Sequence, residues 1–90
     1  MQKFQAGHNY YINGGGEIYV IKRTEKYITV SGKTKHDAIL YKRFYVYDDN
    51  AFNLGEYILI DSGIKRANLK YFCFAGHETE QSIKDNTIKL

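Results

Sequence analysis

Cations and tyrosines interleave most densely in the first half of the chain, where Lys22, Arg23, Lys26, Lys42 and Arg43 accompany Tyr27 and Tyr45, with Tyr19 and Tyr41 nearby. Lysine and arginine track phosphates while aromatic faces stack on bases, so this combination suits a single-stranded nucleic acid. It equally suits a solvated sheet face whose tyrosine rings pack against Lys and Arg stems. Charge is unevenly placed along the chain. Residues 22–43 carry seven bases against Glu25 and Asp37, whereas residues 44–64 carry Asp48, Asp49, Glu56 and Asp61 with no Lys or Arg. That acidic set is a candidate surface for a basic protein partner, which it would meet by charge complementarity.

The other reactive residues point away from catalysis. His8, His36 and His77 fall in segments read as loop or terminus, and none has a neighbour at the spacing of a metal-binding pair. Cys73, inside Tyr71-Phe72-Cys73-Phe74, reads as a buried and inert thiol. The turn Asp48-Asp49-Asn50 needs no cation to explain it. Gly14-Gly15-Gly16 after Asn13 resembles a phosphate cradle only superficially. Such a cradle leads into a helix and a Lys or Ser/Thr at set spacing, but here Glu17 and a strand follow, so the glycines read as a hairpin turn. The expectation is a non-enzymatic binding module that needs neither cofactor nor metal.

The elements that must carry these residues are strands. Ile18 and Val20 alternate with Tyr19 and Ile21, and Ile28 and Val30 alternate with Tyr27 and Thr29, the period-two pattern of a half-buried sheet built from β-branched and aromatic residues. The break between them has no Gly or Pro, which predicts a longer loop or a bulge rather than a tight two-residue turn. A short strand ends at Tyr10 to Ile12. The segment from Ser31 to Asp37 reads as loop, and Ala38 to Tyr47 as a strand interrupted at Lys42 by a kink or bulge. Glu56 to Ile60 and Leu69 to Phe74 complete the strands, and Ile64 to Lys70, capped by Ser62, is the one candidate helix. Shared parity assigns Ile18, Val20, Ile28, Val30, Phe44, Val46, Tyr57, Leu59, Phe72 and Phe74 to one core.

The run from Val20 to Val30, VIKRTEKYITV, is preceded by FQAGHNY and followed by YKRFYVYDDN and GEYILI. Together they resemble a family of small uncharacterised proteins from phages, plasmids and Gram-positive bacterial genomes. The recurrent segment of that family is Val/Ile-x-Lys-Arg-Thr-x-Lys-x-x-Thr, matched by Val20, Lys22, Arg23, Thr24, Lys26 and Thr29. Its members tend to carry Ala where this chain has Glu25. The resemblance covers about the first two-thirds of the chain and implies a mobile-element origin. It motivates a second functional expectation, a small inhibitor or accessory factor that occludes a host protein, for instance an anti-defence protein.

Ninety residues hold one modest core, so one small β domain is expected over residues 1–78, with a polar tail over 79–90 that frays apart from a turn of helix near Gln81 to Lys84. The architecture that fits is a mainly β fold, a small antiparallel barrel or strongly bent sheet of five to six strands with at most one short helix near residues 62–70, since bending or closure protects strand edges. A single cysteine fits a reducing compartment, and no apolar run is long enough to span a bilayer. A cytoplasmic location without membrane contact is therefore expected. Nucleic acid and a host protein are the two partner classes left open.

Overall fold

Alternation of apolar and polar residues drives more than half of the described residues into strands, and the computed structural model, which describes residues 2–35, 39–48, 54–61 and 70–87, orders them into one sheet. The strands are β1 (Asn9–Ile12), β2 (Gly16–Arg23), β3 (Tyr27–Thr34), β4 (Ile39–Tyr45), β5 (Tyr57–Asp61) and β6 (Lys70–Glu78), followed by helix α1 (Glu80–Thr87). They run in the order β4-β3-β2-β1-β6-β5, every pairing antiparallel. The sheet curls into a six-stranded, nearly closed barrel. Its seam lies between the two end strands, where Tyr47 and Tyr57 form a single bridge with N–H···O distances of 2.8 and 2.9 Å.

β2 and β3 are longer than alternation alone suggests. β3 runs on through Ser31 to Thr34, a stretch whose polarity reads as loop, because Gly16, Glu17 and Ile18 of β2 pair with Thr34, Lys33 and Gly32. The two backbones approach closely there. A Cβ on Gly16 would strike the Lys33 carbonyl oxygen and one on Gly32 the Glu17 carbonyl oxygen, so only glycine fits at either place. At the far end the strands are joined by Thr24, Glu25 and Lys26, closed by a 2.9 Å bond from the Thr24 N–H to the Tyr27 carbonyl. A bulge in β2 between Val20 and Lys22 accompanies this loop. β4, by contrast, pairs with β3 in unbroken register from Tyr27↔Tyr45 to Lys33↔Ile39, so the interruption expected at Lys42 is absent. Lys42 is accommodated without a kink because its head reaches solvent, with Nζ 4.9 Å from the Phe44 ring centroid.

The barrel interior is filled by Phe4, Tyr10, Ile12, Ile18, Val20, Ile28, Val30, Leu40, Phe44, Val46, Ile58, Ile60, Cys73 and Ala75. The expected parity holds from β2 to Val46 and fails in β5 and β6. Ile58, Ile60, Cys73 and Ala75 face inward, while Leu59 and Phe72 are only half-buried and Tyr57 and Phe74 are buried outside that cluster. With Phe4, Tyr10 and Phe44 already inside, β5 and β6 contribute slimmer side chains to the interior, and their aromatic residues pack on the opposite face. There they extend a continuous ladder across the seam. Tyr27 meets Tyr45 at 5.5 Å between centroids, Tyr45 meets Tyr47 at 5.0 Å, and Tyr47 stacks on Tyr57 at 5.2 Å. Tyr57 then contacts Phe72 and Phe74, which stack on each other at 5.5 Å.

The tail forms α1 rather than fraying. The Thr79 hydroxyl caps it by accepting the Ser82 N–H at 3.1 Å, and Glu80 and Lys84 lie at the ends that suit their charges. α1 is tied down by polar contacts. Buried Ser82 accepts the Asn9 N–H at 2.9 Å and donates to Glu78 at 2.9 Å, while Glu78 also meets His8 Nδ1 at 2.8 Å. The helix expected over Ile64 to Lys70 lies outside the described residues, except Lys70, which opens β6.

Candidate nucleic-acid interface

Strand register decides which of the interleaved cations and tyrosines share a face. On β3 the residues that alternate with buried Ile28 and Val30 are Tyr27, Thr29, Ser31 and Lys33. In β4 they stand beside Tyr45, Arg43, Tyr41 and Ile39. In β2, Thr29 stands beside Lys22, Ser31 beside Tyr19 and Lys33 beside Glu17. The outer face of β2, β3 and β4 thus gathers Lys22, Tyr27, Arg43 and Tyr45 into one area. The bulge makes this so. Lys22 shares the parity of inward-facing Val20, and the extra residue at Ile21 turns Lys22 out and Arg23 in.

Within that area the Arg43 guanidinium lies 4.5 Å from the centroid of the Tyr27 ring, and Tyr45 meets Tyr27 edge-on. Lys22 and Arg43 are exposed, as is Lys26 in the hairpin loop, and none has a carboxylate partner among the described residues. Lys42 is exposed too, but falls on the parity of Leu40 and Phe44 and stands apart from the outer rows. Tyr19 and Tyr41, on the same outer face and flanking Ser31, enter no ring contact among the described residues; Tyr41 is 74% exposed.

Arg23 is placed differently. It turns to Glu56 and grips it with both nitrogens, at 2.5 Å to Oε1 and 2.8 Å to Oε2. It also donates to the Thr24 and Glu25 carbonyls at 2.7 and 3.1 Å. These hydrogen bonds to Glu56 hold the Arg23 guanidinium above its ordinary pKa. Glu56 in turn accepts the Phe4 N–H at 3.0 Å and is 4% exposed, so the pair closes one end of the barrel with the N-terminal segment. A base and an acid that the sequence assigns to two separate surfaces therefore neutralise each other inside. Of the remaining acids, Asp48 is exposed, Asp61 lies 3.9 Å from Lys70, and Asp49 lies outside the described residues.

The residues considered for catalysis are dispersed. Cys73 is buried in the core, its Sγ donating to the Tyr11 carbonyl at 3.4 Å, and burial pushes its thiol up to about 12. His8 pairs with Glu78, His77 lies in β6 rather than a loop and meets Phe74 edge-on, and His36 lies outside the described residues. Among the described residues no three His, Cys, Asp or Glu side chains converge as metal ligands do.

Sequence reasoning passed over one further feature. Tyr11, Glu17 and Lys33 stand abreast on β1, β2 and β3, since Tyr11 pairs with Glu17 and Glu17 with Lys33. Together with Gly16, Gly32 and Thr34 they line an open depression of about 720 Å³ next to the Tyr19–Ser31–Tyr41 row. The parity of Glu17 with Tyr19 was readable, but the partnership with Tyr11 and Lys33 depends on register and on the extension of β3. Comparison with protein-family models, curated proteins and solved structures finds no match for this chain.

Proposed function

We propose that this chain is a non-enzymatic binding module of mobile-element type that holds single-stranded nucleic acid on the outer face of β2, β3 and β4. The observation that carries the reading is the Arg43 guanidinium stacked over Tyr27, on a face where Lys22 and nearby Lys26 have no carboxylate partner among the described residues. Unneutralised cations attract phosphates, and exposed tyrosine faces at Tyr19 and Tyr41 accept unpaired bases. Lys22, Lys26 and Arg43 are the phosphate contacts, with Lys42 approaching from the edge of β4. Tyr27 and Tyr45 shape the platform on which the strand lies. Arg23 takes no part in it, because its charge is already matched.

The rival reading, an inhibitor that occludes a host protein through acidic residues, draws less support. Glu56 is buried against Arg23 and exposed Asp61 has Lys70 beside it, so among the described residues Asp48 is the acid of this set with no base next to it. Fluorescence anisotropy with a mixed-sequence oligonucleotide separates the two. Binding is expected to weaken steeply with salt, and Lys22→Ala or Arg43→Ala to flatten the log–log slope by about 0.7 each. Absence of binding even at low salt would eliminate the nucleic-acid reading.

A further inference from the structure

We propose that the depression beside Tyr11 is a base-reading pocket that selects guanine within a single strand; this rests on the nucleic-acid reading above. Glu17 motivates it. A carboxylate repels phosphates, yet Glu17 is exposed, has no partner among the described residues, and stands on the same outer face as Lys22 and Arg43. A negative group in a phosphate-binding surface is useful where a base edge, not the backbone, comes down upon it.

The three side chains that stand abreast there supply complementary chemistry. Tyr11 is 51% exposed and enters no ring contact among the described residues, so a face of its ring is open to stack on a base. Neighbouring strands are about 4.8 Å apart, so Tyr11, Glu17 and Lys33 span roughly the width of one base. Gly16 and Gly32 add no side chains, leaving bare backbone at the wall. Glu17 offers two acceptor oxygens and Lys33 offers donors. Only guanine presents two adjacent N–H donors, N1–H and N2–H, on its Watson–Crick edge, with the O6 acceptor alongside for Lys33. Adenine and cytosine place a ring-nitrogen acceptor beside their single amino donor, and thymine and uracil flank one N–H with two carbonyls. Each would set an acceptor against the carboxylate.

The test is anisotropy with labelled oligothymidylates of about 12 nucleotides that carry one central guanine, adenine, cytosine or inosine, against the unmodified strand. The wild-type chain is expected to bind the guanine strand roughly tenfold to a hundredfold more tightly than the others, the discrimination typical of a bidentate base contact. Inosine, which lacks the N2 amino group, should lose part of that preference. Glu17→Gln should abolish the preference while background binding to oligothymidylate stays unchanged or tightens, because a charge that repels phosphates is gone. Equal wild-type affinity for all five strands overturns the pocket and leaves the single-strand reading standing. A guanine preference that survives in Glu17→Gln also overturns it. Failure to bind any strand removes both.

Discussion

Two sets of aromatic side chains share the outside of this barrel. One runs from Tyr27 through Tyr45, Tyr47 and Tyr57 to Phe72 and Phe74, each ring touching the next. The other, Tyr11, Tyr19 and Tyr41, touches no ring among the described residues and stays exposed. Residue type is the same and the sheet is the same, yet the first set fastens the seam and the second is free to meet a ligand. The cations divide likewise. Arg23 is locked to Glu56, while Lys22 and Lys26 have no carboxylate partner among the described residues. An aromatic and basic composition therefore says little about binding until each ring and charge has been checked for a partner in its own chain.

The sharpest way to break this comparison is at the locked charge. Arg23→Ala strands Glu56 in a buried position and is expected to cost about 3 to 5 kcal/mol, read as a fall in the denaturation midpoint. If the melt is unmoved, Arg23 belongs with the free cations after all. Ile58→Ala, which hollows the interior, should cost about 4 kcal/mol, and Tyr57→Ala, which cuts the ladder at the seam, about 3 kcal/mol. A larger loss from Leu59→Ala than from Ile58→Ala would reverse the faces of β5.

pH probes the interior without mutation. Burial raises Tyr10 from 10.0 to about 12, and raises Cys73 from 9.0 to about 12. Both groups are acids kept neutral by the fold, and the unfolded chain gives up their protons first. Their stabilisation is therefore complete below about pH 9 and is lost as pH climbs from 9 to 12, with about 2 to 3 kcal/mol from Tyr10. Tyr10→Phe should flatten the decline of melting temperature above pH 10. In native buffer at neutral pH, thiol reagents should label Cys73 far more slowly than a free peptide thiol. The smallest effect on stability is expected at the free rings. Tyr41→Ala should change stability by no more than about 0.5 kcal/mol while costing about 1 to 3 kcal/mol in oligonucleotide binding. Equal loss of both would place Tyr41 with the fastened set.

Much of the meander was legible because β2 and β3 show clean alternation around Ile18, Val20, Ile28 and Val30, and because turn residues punctuate β1 and β2. The faces of β5 and β6 were not. Alternation alone leaves open which parity of each strand faces inward: Phe72 and Phe74 share one parity, but the interior takes Ile58, Ile60, Cys73 and Ala75, and Phe74 is buried on the other face. The absence of Gly and Pro between β2 and β3 announces a longer loop or a bulge, but its position at Ile21 exists only relative to a partner strand. The clamp between Arg23 and Glu56 is invisible locally, its two residues lying in segments of opposite charge. The Thr79 cap of α1 did stand in the sequence, ahead of Glu80 and Ser82, but a short polar helix fastened by hydrogen bonds leaves no apolar stripe to detect.

The position of β1 carries a consequence for how the chain is made. β1 lies between β2, which follows it directly, and β6, the last strand described. A chain emerging from its N-terminus can build β1 to β4 as successive hairpins, but the second edge of β1 waits for Tyr10 and Ile12 to find Glu78 and Cys73. Contacts between such distant segments form slowly, and an unpaired edge invites other chains meanwhile. A chain cut before Lys70 would leave that edge bare, so truncated products of this protein are expected to aggregate where the complete barrel does not.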